Sequence, residues 1–407
     1  MVGVPAMRIL VLTNLYPPAA VGGYERMCRD VVTRFRERGH EISILTTTFG
    51  APHNEANDKA ESVHRRLSIY WNGAEVVCPP LRRQIALERT NQRELSRLLR
   101  SFRPDRVSVW GMGAISLGLL STLADRGLPM TYVVGDDWPV FGRWADCWTR
   151  QLQERPLVRL AGGVLRLPGA PASLGSTGTF CFVSEFTRRR AEEVAGLELR
   201  NAEVIPAGIE TREFPLVQSD KRPWRWRLLC VGRVQPAKGF DAAIRALREL
   251  PPAATLTIVG RSDGSQRDDL SRLAREIGIA DRVRFLCGER SEMPRHYRSA
   301  DVLLFTSTGH EAFGLVPIEA MACATPVIAT GVGGSAEFLT DEANCLLVPP
   351  ADAKALADAV QRLGRDASLR EQIVNGGLET SARLTVDNQA NALEALHRLG
   401  LARPRQR

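Results

Sequence analysis

The residues Met7-Arg-Ile-Leu-Val-Leu-Thr13, together with the loop Asn14-Leu-Tyr-Pro-Pro-Ala-Ala-Val-Gly-Gly23, decide the fold. The first run consists of β-forming residues, as a buried parallel strand requires. From Tyr24 to Phe35 apolar residues recur at helical spacing, and His40–Thr46 reads as a second strand. A strand, a glycine-containing loop, a helix and a second strand form a βαβ unit. We therefore predict a parallel sheet with helices on both faces.

The same alternation continues to the end of the chain. Further strands are predicted at Arg106–Trp110, Met130–Val134, Thr179–Ser184, Ala202–Pro206, Arg227–Val231, Ala254–Val259, Arg282–Leu286, Asp301–Thr306, Pro326–Ala329 and Cys345–Val348. Helices are predicted at Arg89–Ser101, Ala114–Arg126, Phe240–Leu250 and 266–277. The pattern predicts an α/β protein with two doubly wound, Rossmann-like parallel sheets. Such sheets bind ligands at the carboxyl ends of their strands, so we expect the two domains to face a cleft.

A polar segment that prolines interrupt separates the two halves. It predicts a linker over residues 209–224, between a first domain of residues 1–208 and a second of residues 225–385. Residues 386–407 are predicted to form a terminal helix that packs back on the first domain. Within the first domain, residues 140–177 fit the alternation least well, and we interpret them as a helical excursion.

Composition describes an ordinary globular protein with a basic surplus. Of the 407 residues 44% are hydrophobic and 25% are charged, which excludes a disordered or collagen-like chain. The formal net charge is +8, and only four of the basic residues are Lys, whereas fifty are Arg. A basic balance suits anionic substrates, nucleic acid or an anionic membrane face. At this size the charge is too dilute to choose among them.

The eight cysteines form no Cys-x-x-Cys pair and no zinc-spaced cluster with histidine. Several lie inside apolar runs, so we predict that they are small buried hydrophobic residues in a reducing cytosol. No stretch approaches the 18 apolar residues of a membrane span, and the first residues lack the basic region of a signal peptide. The prediction is a cytoplasmic protein.

The strongest chemical signal is the run Gly309-His-Glu-Ala-Phe-Gly-Leu-Val-Pro-Ile-Glu-Ala-Met-Ala322. It follows a predicted strand and opens a helix near Leu315. Glu311 precedes that helix and Glu319 lies about one turn inside it. A helix N-terminus offers free N–H groups to a phosphate, and a carboxylate can accept hydrogen bonds from two vicinal hydroxyls. The alternative is a capping glutamate plus a glutamate on the helix surface.

This run resembles the Glu-x7-Glu motif of retaining glycosyltransferases with the GT-B fold, family 4. Three further segments are similar to motifs of that family: Val231-Gly-Arg-Val-Gln-Pro-Ala-Lys-Gly239, the glycine turn Gly331-Val-Gly-Gly-Ser-Ala-Glu337, and Gly22-Gly-Tyr-Glu-Arg26 after Pro17-Pro18. The resemblance extends from about residue 7 to residue 380. It implies a GT-B architecture with an acceptor-side first domain and a second domain that binds a nucleotide sugar.

The resemblance also implies roles for individual residues. Glu319 would hold the ribose hydroxyls of the donor and Glu311 would contact the donor hexose. Arg233 and Lys238, at the carboxyl end of a strand, would meet the diphosphate as two cations. Backbone flexibility or N–H groups would serve the ligand at Gly22, Gly23, Gly232, Phe313, Gly314 and Leu315. The base would lie near Val259-Gly260-Arg261 and Gly288-Glu289-Arg290.

The sequence departs from the family pattern at one place. Many members carry a His–Asp pair after a strand of the first domain, whereas here the segment reads Gly135-Asp136-Asp137. We predict that Asp136 or Asp137 serves the sugar pocket. The alternative is a pair of solvated carboxylates at the start of a loop. We discount a metal site, because GT-B enzymes typically neutralise the diphosphate with protein cations and helix dipoles.

The resulting prediction is a glycosyltransferase that moves a sugar from a nucleotide diphosphate to an acceptor hydroxyl with retention of configuration. No cofactor or metal is expected. The acceptor classes left open are a small molecule, a lipid-linked molecule and a glycan, with peripheral contact to the inner membrane face also open. A nucleotide-sugar 2-epimerase of the same fold is one alternative function. A basic protein that binds membrane surfaces or nucleic acid is the other, although no nucleic acid partner is expected.

Overall fold

The computed structural model describes residues 5–20, 22–50, 55–215, 223–262 and 264–399. Residues 216–222 of the predicted linker and residues 400–407 of the predicted terminal helix lie outside this range. The chain divides into two compact units. One comprises residues 1–206 and 389–407, and the other comprises residues 207–388.

The first unit is built on a seven-stranded sheet with the order β3-β2-β1-β4-β5-β6-β7, in which all neighbouring strands are parallel. Its strands are β1 Arg8–Leu12, β2 Glu41–Thr47, β3 Val63–Leu67, β4 Arg106–Val109, β5 Met130–Val134, β6 Thr179–Phe182 and β7 Ala202–Val204. Its helices are α1 Gly23–Glu37, α2 Glu55–Ala60, α3 Leu81–Phe102, α4 Gly118–Asp125, α5 Trp138–Ala145, α6 Cys147–Glu154, α7 Pro156–Val164 and α8 Glu185–Glu193.

The second unit repeats this design with a six-stranded parallel sheet in the order β10-β9-β8-β11-β12-β13. Its strands are β8 Arg227–Val231, β9 Thr255–Val259, β10 Val283–Leu286, β11 Val302–Phe305, β12 Val327–Ala329 and β13 Leu346–Leu347. Its helices are α9 Phe240–Arg248, α10 Ser265–Glu276, α11 Met293–Ser299, α12 Leu315–Ala322, α13 Ala353–Arg365 and α14 Ala367–Arg383, and α15 Val386–Leu399 runs on from it. The prediction of two parallel-sheet α/β halves is confirmed.

Each sheet is buried because its central strands are apolar on both faces. In β1 the residues Ile9–Leu12 are at most 1% exposed, and in β5 Tyr132–Val134 are fully buried. The second sheet has the same character, with Leu228 and Cys230 of β8 at most 1% exposed. Continuous apolar strands of this kind need helices on both faces, which is what fixes the layered architecture.

The terminal helix α15 contributes to the first unit from Gln389 onward. Glu394 accepts a hydrogen bond from Arg38 at 2.9 Å and lies 3.1 Å from His40 Nε2. Although burial would raise the pKa of Glu394, hydrogen bonds from Arg398, Arg38 and His40 lower it to about 2. Ion pairs and packing thus fasten this helix to the end of α1 and the start of β2.

The structure corrects the prediction for the cysteines. Cys78 and Cys147 form a disulfide that links the segment before α3 to the start of α6. Cys287 is an exposed free thiol, whereas the other five free cysteines are buried. The sequence separation of 69 between Cys78 and Cys147 hides the pairing from any local sequence pattern. The pairing also removes the cysteine-based reason for expecting a reducing compartment. In the part of the chain that the structure describes, none of the helices combines the length and hydropathy of a membrane span.

Candidate functional site

Loops at the carboxyl edge of the second sheet approach one another through glycines. Gly232 follows β8 and Gly260 follows β9, and a Cβ added to Gly260 would lie 1.7 Å from the Gly232 carbonyl oxygen. Gly239, with φ +61°, ends the β8 loop, and a Cβ there would lie 2.2 Å from the Thr306 carbonyl oxygen. Side chains at these positions would push the loops apart. Glycine therefore lets the segments after β8, β9 and β11 share one edge.

Lys238 and Glu311 meet at this edge. The Lys238 ammonium lies 2.6 Å from a Glu311 carboxylate oxygen, which also accepts a hydrogen bond from Ser307 at 3.1 Å. The ammonium lies 5.7 Å from the centroid of the Phe305 ring. The two charged side chains remain 21% and 16% exposed, so the pair is open to a ligand.

The glycine turn after β12 holds the backbone of Glu311. The Gly334 N–H donates to the Glu311 carbonyl oxygen at 2.8 Å. At Gly333, which has φ +63°, an added Cβ would lie 2.4 Å from the same oxygen. The Glu-x7-Glu run and the glycine turn, which are separate in sequence, are thus in direct contact at Glu311.

A second cluster of charged side chains, after the Lys238–Glu311 pair, surrounds Glu319 in the second unit. Glu319 lies in α12, is 4% exposed, and accepts a hydrogen bond from the Tyr297 hydroxyl at 2.7 Å and another from Arg290. Arg290 also donates to Glu213 at 2.7 Å, and its guanidinium lies 4.5 Å from the centroid of the Phe214 ring. Burial by itself would lower the pKa of Arg290, but the two carboxylates outweigh it and raise that pKa. Glu319 is therefore a buried carboxylate with fixed donors, which differs from the alternative of a glutamate on the helix surface.

The segment before α12 presents a helix N-terminus to the same edge of the sheet. Gly314, with φ +99°, is the residue before the first turn, which begins at Leu315. Phe313 is 5% exposed, and its ring centroid lies 5.1 Å from that of Phe338. The first N–H groups of a helix lack intrahelical partners, so this end can bind an anion.

The remaining predicted ligand residues of this unit lie beside these clusters. The Val234 N–H donates to the Arg261 carbonyl oxygen at 2.8 Å, which joins the loops after β8 and β9. A Cβ added to Gly288 would lie 2.8 Å from Val259 Cγ1, so the loop after β10 packs on β9. Arg233 is exposed, and among the described residues its side chain contacts neither Lys238 nor Glu311 through a hydrogen bond or ion pair.

Four predicted site residues belong to the first unit. The Gly22 N–H donates to the Glu25 carboxylate at 3.0 Å, and Gly23 begins α1. The two aspartates differ: Asp137 forms an ion pair with Arg190 at 2.9 Å, whereas Asp136 accepts a backbone hydrogen bond from Trp138 at 3.1 Å. The ion pair gives Asp137 a structural partner that the sequence did not reveal. Since both carboxylates have partners within the protein, the alternative of two solvated carboxylates does not describe them.

Asp136 has an unusual charge environment. Burial raises the pKa of this carboxyl to about 7, although the backbone hydrogen bond from Trp138 acts in the opposite direction. The nearby carboxylates of Glu25 and Asp137 contribute to this raised pKa. Near neutral pH this group is therefore poised between a hydrogen-bond donor and an acceptor.

Tyr24 occupies the space over Gly135. A Cβ added to Gly135 would lie 2.5 Å from Cδ2 of the Tyr24 ring. The Tyr24 hydroxyl donates to the Val133 carbonyl oxygen, and its ring centroid lies 5.9 Å from that of Trp110. The aromatic ring thus stands where a side chain at position 135 would project. Sequence reasoning noted the absent side chain at 135 but missed the residue that fills its place.

Tyr297, Glu213 and Ser307 were also missed: Tyr297 and Glu213 reach their partners from other segments of the second unit, and Ser307, four residues before Glu311, lies outside the motif. Within this unit the structure brings Lys238 to Glu311 and Arg290 to Glu319. Among the described residues, no group of three or more His, Cys, Asp or Glu side chains is arranged to hold a metal ion.

Comparisons with known proteins agree with this architecture. A family model described as Glycosyltransferase Family 4 matches residues 21–213, and one described as Glycosyl transferases group 1 matches residues 213–380. A D-inositol 3-phosphate glycosyltransferase of Xylanimonas cellulosilytica is 35% identical over 226 residues, which cover 51% of this chain and 54% of that protein. The chain spans about half the length of the curated relatives of this kind that it matches. An uncharacterised glycosyltransferase of Methanocaldococcus jannaschii is 25% identical over 91% of this chain and 92% of its own length.

Solved structures show the same fold along nearly the whole chain. Sucrose-phosphate synthase from Thermosynechococcus elongatus matches with a TM-score of 0.72 at 22% identity, covering 97% of this chain and 99% of that one. Anabaena HepE, solved in complex with UDP and glucose, matches with a TM-score of 0.69 at 20% identity, covering 96% and 98%. The two family models together account for residues 21–380 and for both charged clusters of the second unit. This chain therefore belongs to the family 4, group 1 glycosyltransferases of the GT-B fold.

Proposed function

We propose that this protein is a retaining glycosyltransferase that moves a sugar from a nucleotide diphosphate to an acceptor hydroxyl. The observation that carries the proposal is the pairing of Lys238 with Glu311 and of Arg290 with Glu319 at one edge of the second sheet. Each pair joins a cation to a carboxylate of the Glu-x7-Glu motif, beside the N-terminus of α12. The Anabaena neighbour crystallised with UDP and glucose supports a donor of this class.

In this proposal the donor is divided among three groups of the second unit. The Lys238 ammonium and the free N–H groups at the start of α12 hold the diphosphate. Glu319 accepts hydrogen bonds from the ribose, and Glu311 accepts hydrogen bonds from the sugar. Since Glu311 is already paired with Lys238, donor binding places the diphosphate against a cation that a carboxylate keeps in position. Arg233, whose side chain is exposed, would supply a second cation to the same anion.

The chemical step breaks the bond between the anomeric carbon and the phosphate oxygen. The acceptor oxygen forms its new bond on the face that the leaving group vacates, so the configuration is retained. The proton of the acceptor hydroxyl passes to the leaving phosphate, which becomes a nucleoside diphosphate. The protein supplies positioning and stabilises the negative charge that develops on the leaving group. No metal is required in this scheme.

A screen of nucleoside diphosphates tests the proposal. We expect one of UDP, GDP or ADP to raise the melting temperature of the full chain, since a ligand at 100 times its Kd stabilises a protein by about 2.7 kcal/mol. The matching nucleotide sugar should then transfer its sugar to a supplied acceptor, with and without a chelator. If no nucleoside diphosphate shifts the melting temperature, the donor assignment fails. If transfer stops in the chelator and Mg²⁺ restores it, the metal-free scheme fails. The acceptor classes stay as predicted from sequence, and a cytoplasmic location stays a prediction.

A further inference from the structure

Helix α7 of the first unit turns an apolar face outward. Leu157, Leu160 and Val164 follow one another at helical spacing and are 82%, 69% and 78% exposed. They rank among the most exposed large hydrophobic side chains in the described part of the chain. Trp144, at the end of α5, is 61% exposed as well. We call Leu157, Leu160 and Val164 the α7 apolar face.

The exposure of the α7 apolar face does not result from incomplete packing of the helix. The opposite side of α7 is already packed: Val158 and Gly162 are buried against α6. A Cβ added to Gly162 would lie 2.9 Å from Leu152 and 3.3 Å from the Trp148 ring. The Trp148 indole N–H donates to the Leu167 carbonyl oxygen at 3.2 Å, which fixes the chain after α7. The helix cannot rotate its apolar face inward without losing these contacts.

Glu154, at the end of α6, is 57% exposed and lies 3.9 Å from Arg150, but from Arg155 onward arginine is the only charged residue type along the α7 apolar face. Arg155, Arg159 and Arg166 are exposed beside it. No Asp or Glu occurs from Arg155 to Ser184, a run of thirty residues. The basic surplus of the whole chain is dilute, so this acid-free segment concentrates it at the place where aliphatic side chains are exposed.

We propose that the α7 apolar face and its three arginines dock this enzyme on a membrane surface that contains anionic lipids. The aliphatic side chains enter the boundary between headgroups and acyl chains, while arginine guanidinium groups pair with lipid phosphates. A nucleic acid would pair with the arginines but would not bury the exposed leucines. A stable protein interface uses about 20–30 residues a side, whereas this face is part of one nine-residue helix.

Flotation of the full-length protein with vesicles tests the proposal. We expect it to float with vesicles that contain about one third phosphatidylglycerol, and to stay in solution with vesicles of phosphatidylcholine alone. Raised salt should weaken the binding, because the arginine–phosphate attraction is screened. The double substitution Leu157→Asp/Leu160→Asp should lower the bound fraction at least tenfold, and Arg159→Glu should lower it severalfold.

Matched controls separate this surface from general hydrophobicity and charge. Val194→Asp changes a side chain that is 56% exposed at the end of α8, and Arg93→Glu reverses an exposed arginine on α3. Both should bind vesicles like the original protein, and all variants should keep its melting temperature. Equal binding by the Leu157→Asp/Leu160→Asp variant, or equal binding to neutral and anionic vesicles, overturns the proposal. So does an absence of vesicle binding together with a dimer, seen by light scattering, that this variant abolishes.

Discussion

At the scale of single residues, Lys238 is the cation that is proposed to bind the diphosphate of the donor. Its ammonium is 21% exposed and held by Glu311, so it can face an anion without first being ordered. We expect Lys238→Ala to lower kcat/KM at least tenfold, which corresponds to about 1.4 kcal/mol in the barrier. Lys354→Ala is the control, because Lys354 is 82% exposed and pairs with Asp358 on α13. Comparable turnover in the two variants would remove Lys238 from the site.

Substitutions of the two glutamates of the motif should affect different kinetic constants. Glu319→Gln keeps an acceptor for the Tyr297 hydroxyl but removes the charge that faces Arg290, so we expect weaker nucleoside diphosphate binding and a higher KM. Glu311→Gln should mainly lower kcat, because a contact to the departing sugar strengthens as charge develops there. Calorimetric titration with the nucleoside diphosphate and steady-state kinetics distinguish the two effects. Equal losses of nucleotide affinity in both variants would contradict this division of roles.

Tyr24 and Gly135 should behave as one steric unit. Because the Tyr24 ring fills the space over residue 135, Gly135→His overpacks the site, and we expect a loss of about 1–3 kcal/mol in the free energy of unfolding. Tyr24→Ala leaves a cavity at the same place. In a double-mutant cycle, the combined variant should therefore be more stable than the sum of the two losses predicts. Strict additivity would show that the two positions do not share this space.

At the scale of elements, a buried carboxyl joins α3 to the strand ends of the first unit. Glu88 is 0% exposed, accepts hydrogen bonds from Tyr70 at 2.6 Å and Ser116 at 2.5 Å, and lies near Asp146. Burial first, and then Asp146, raise the pKa of Glu88 to about 8, from 4.5. The folded protein therefore keeps this carboxyl protonated at pH values where the unfolded chain has released the proton.

The sign of the pH dependence follows from that difference. Between the two pKa values the folded state binds more protons than the unfolded state, so stability is present at low pH and falls as pH rises toward 8. Asp136 acts in the same direction up to about pH 7, which leaves Glu88 to dominate between 7 and 8. Melting temperatures across that window should decline in the original protein and decline less in Glu88→Gln, which mimics the protonated carboxyl. An identical decline in both would exclude Glu88 as the cause.

Elements with a strong local pattern were predictable, and those that depend on distant partners were not. Met130–Val134 and Arg227–Val231 are strands with the predicted bounds, because continuous apolar β-formers admit few other structures. Strand β3 was missed, because only its end residues Val63 and Leu67 are apolar. The three residues between them, His64–Arg66, are polar or charged, as an edge strand permits. The buried carboxyl of Glu88 was equally invisible, because the residue lies just before the helix that was predicted at Arg89–Ser101 and nothing in the local pattern marks it as buried.

The candidate site shows the same division. Lys238, Glu311 and Glu319 could be proposed from sequence because their motifs have fixed spacing. Tyr297 and Glu213 lack such a motif, and they reach Glu319 and Arg290 only after the second sheet has formed. The Cys78–Cys147 disulfide was invisible for the same reason. Sequence patterns thus pointed to the residues that are proposed to bind the ligand, whereas the residues that hold them in place became visible only in the three-dimensional structure.

At the scale of the whole molecule, the chain leaves the first unit at Pro206 and returns to it at Gln389. The returning segment is part of the core of that unit, since Leu393 is fully buried and Leu396 is 9% exposed. His397 is also fully buried, its ring centroid 5.8 Å from that of Phe35, and burial, Arg106 and His40 lower its pKa to about 3. The second unit, residues 207–388, is therefore an insertion within the sequence of the first.

Removal of the returning segment should consequently damage the first unit. A chain that ends at Asn388 lacks Leu393 and Leu396, and loss of a buried leucine side chain alone costs about 2–5 kcal/mol. It also leaves Arg38 and His40 without the Glu394 carboxylate. We expect a lower melting temperature and faster proteolytic cleavage within residues 5–206, with nucleoside diphosphate binding retained by residues 207–388. A chain that ends at Leu399 keeps Gln389–Leu399 and controls for shortening itself. Equal stability of the two shortened chains would show that the returning segment does not hold the first unit together.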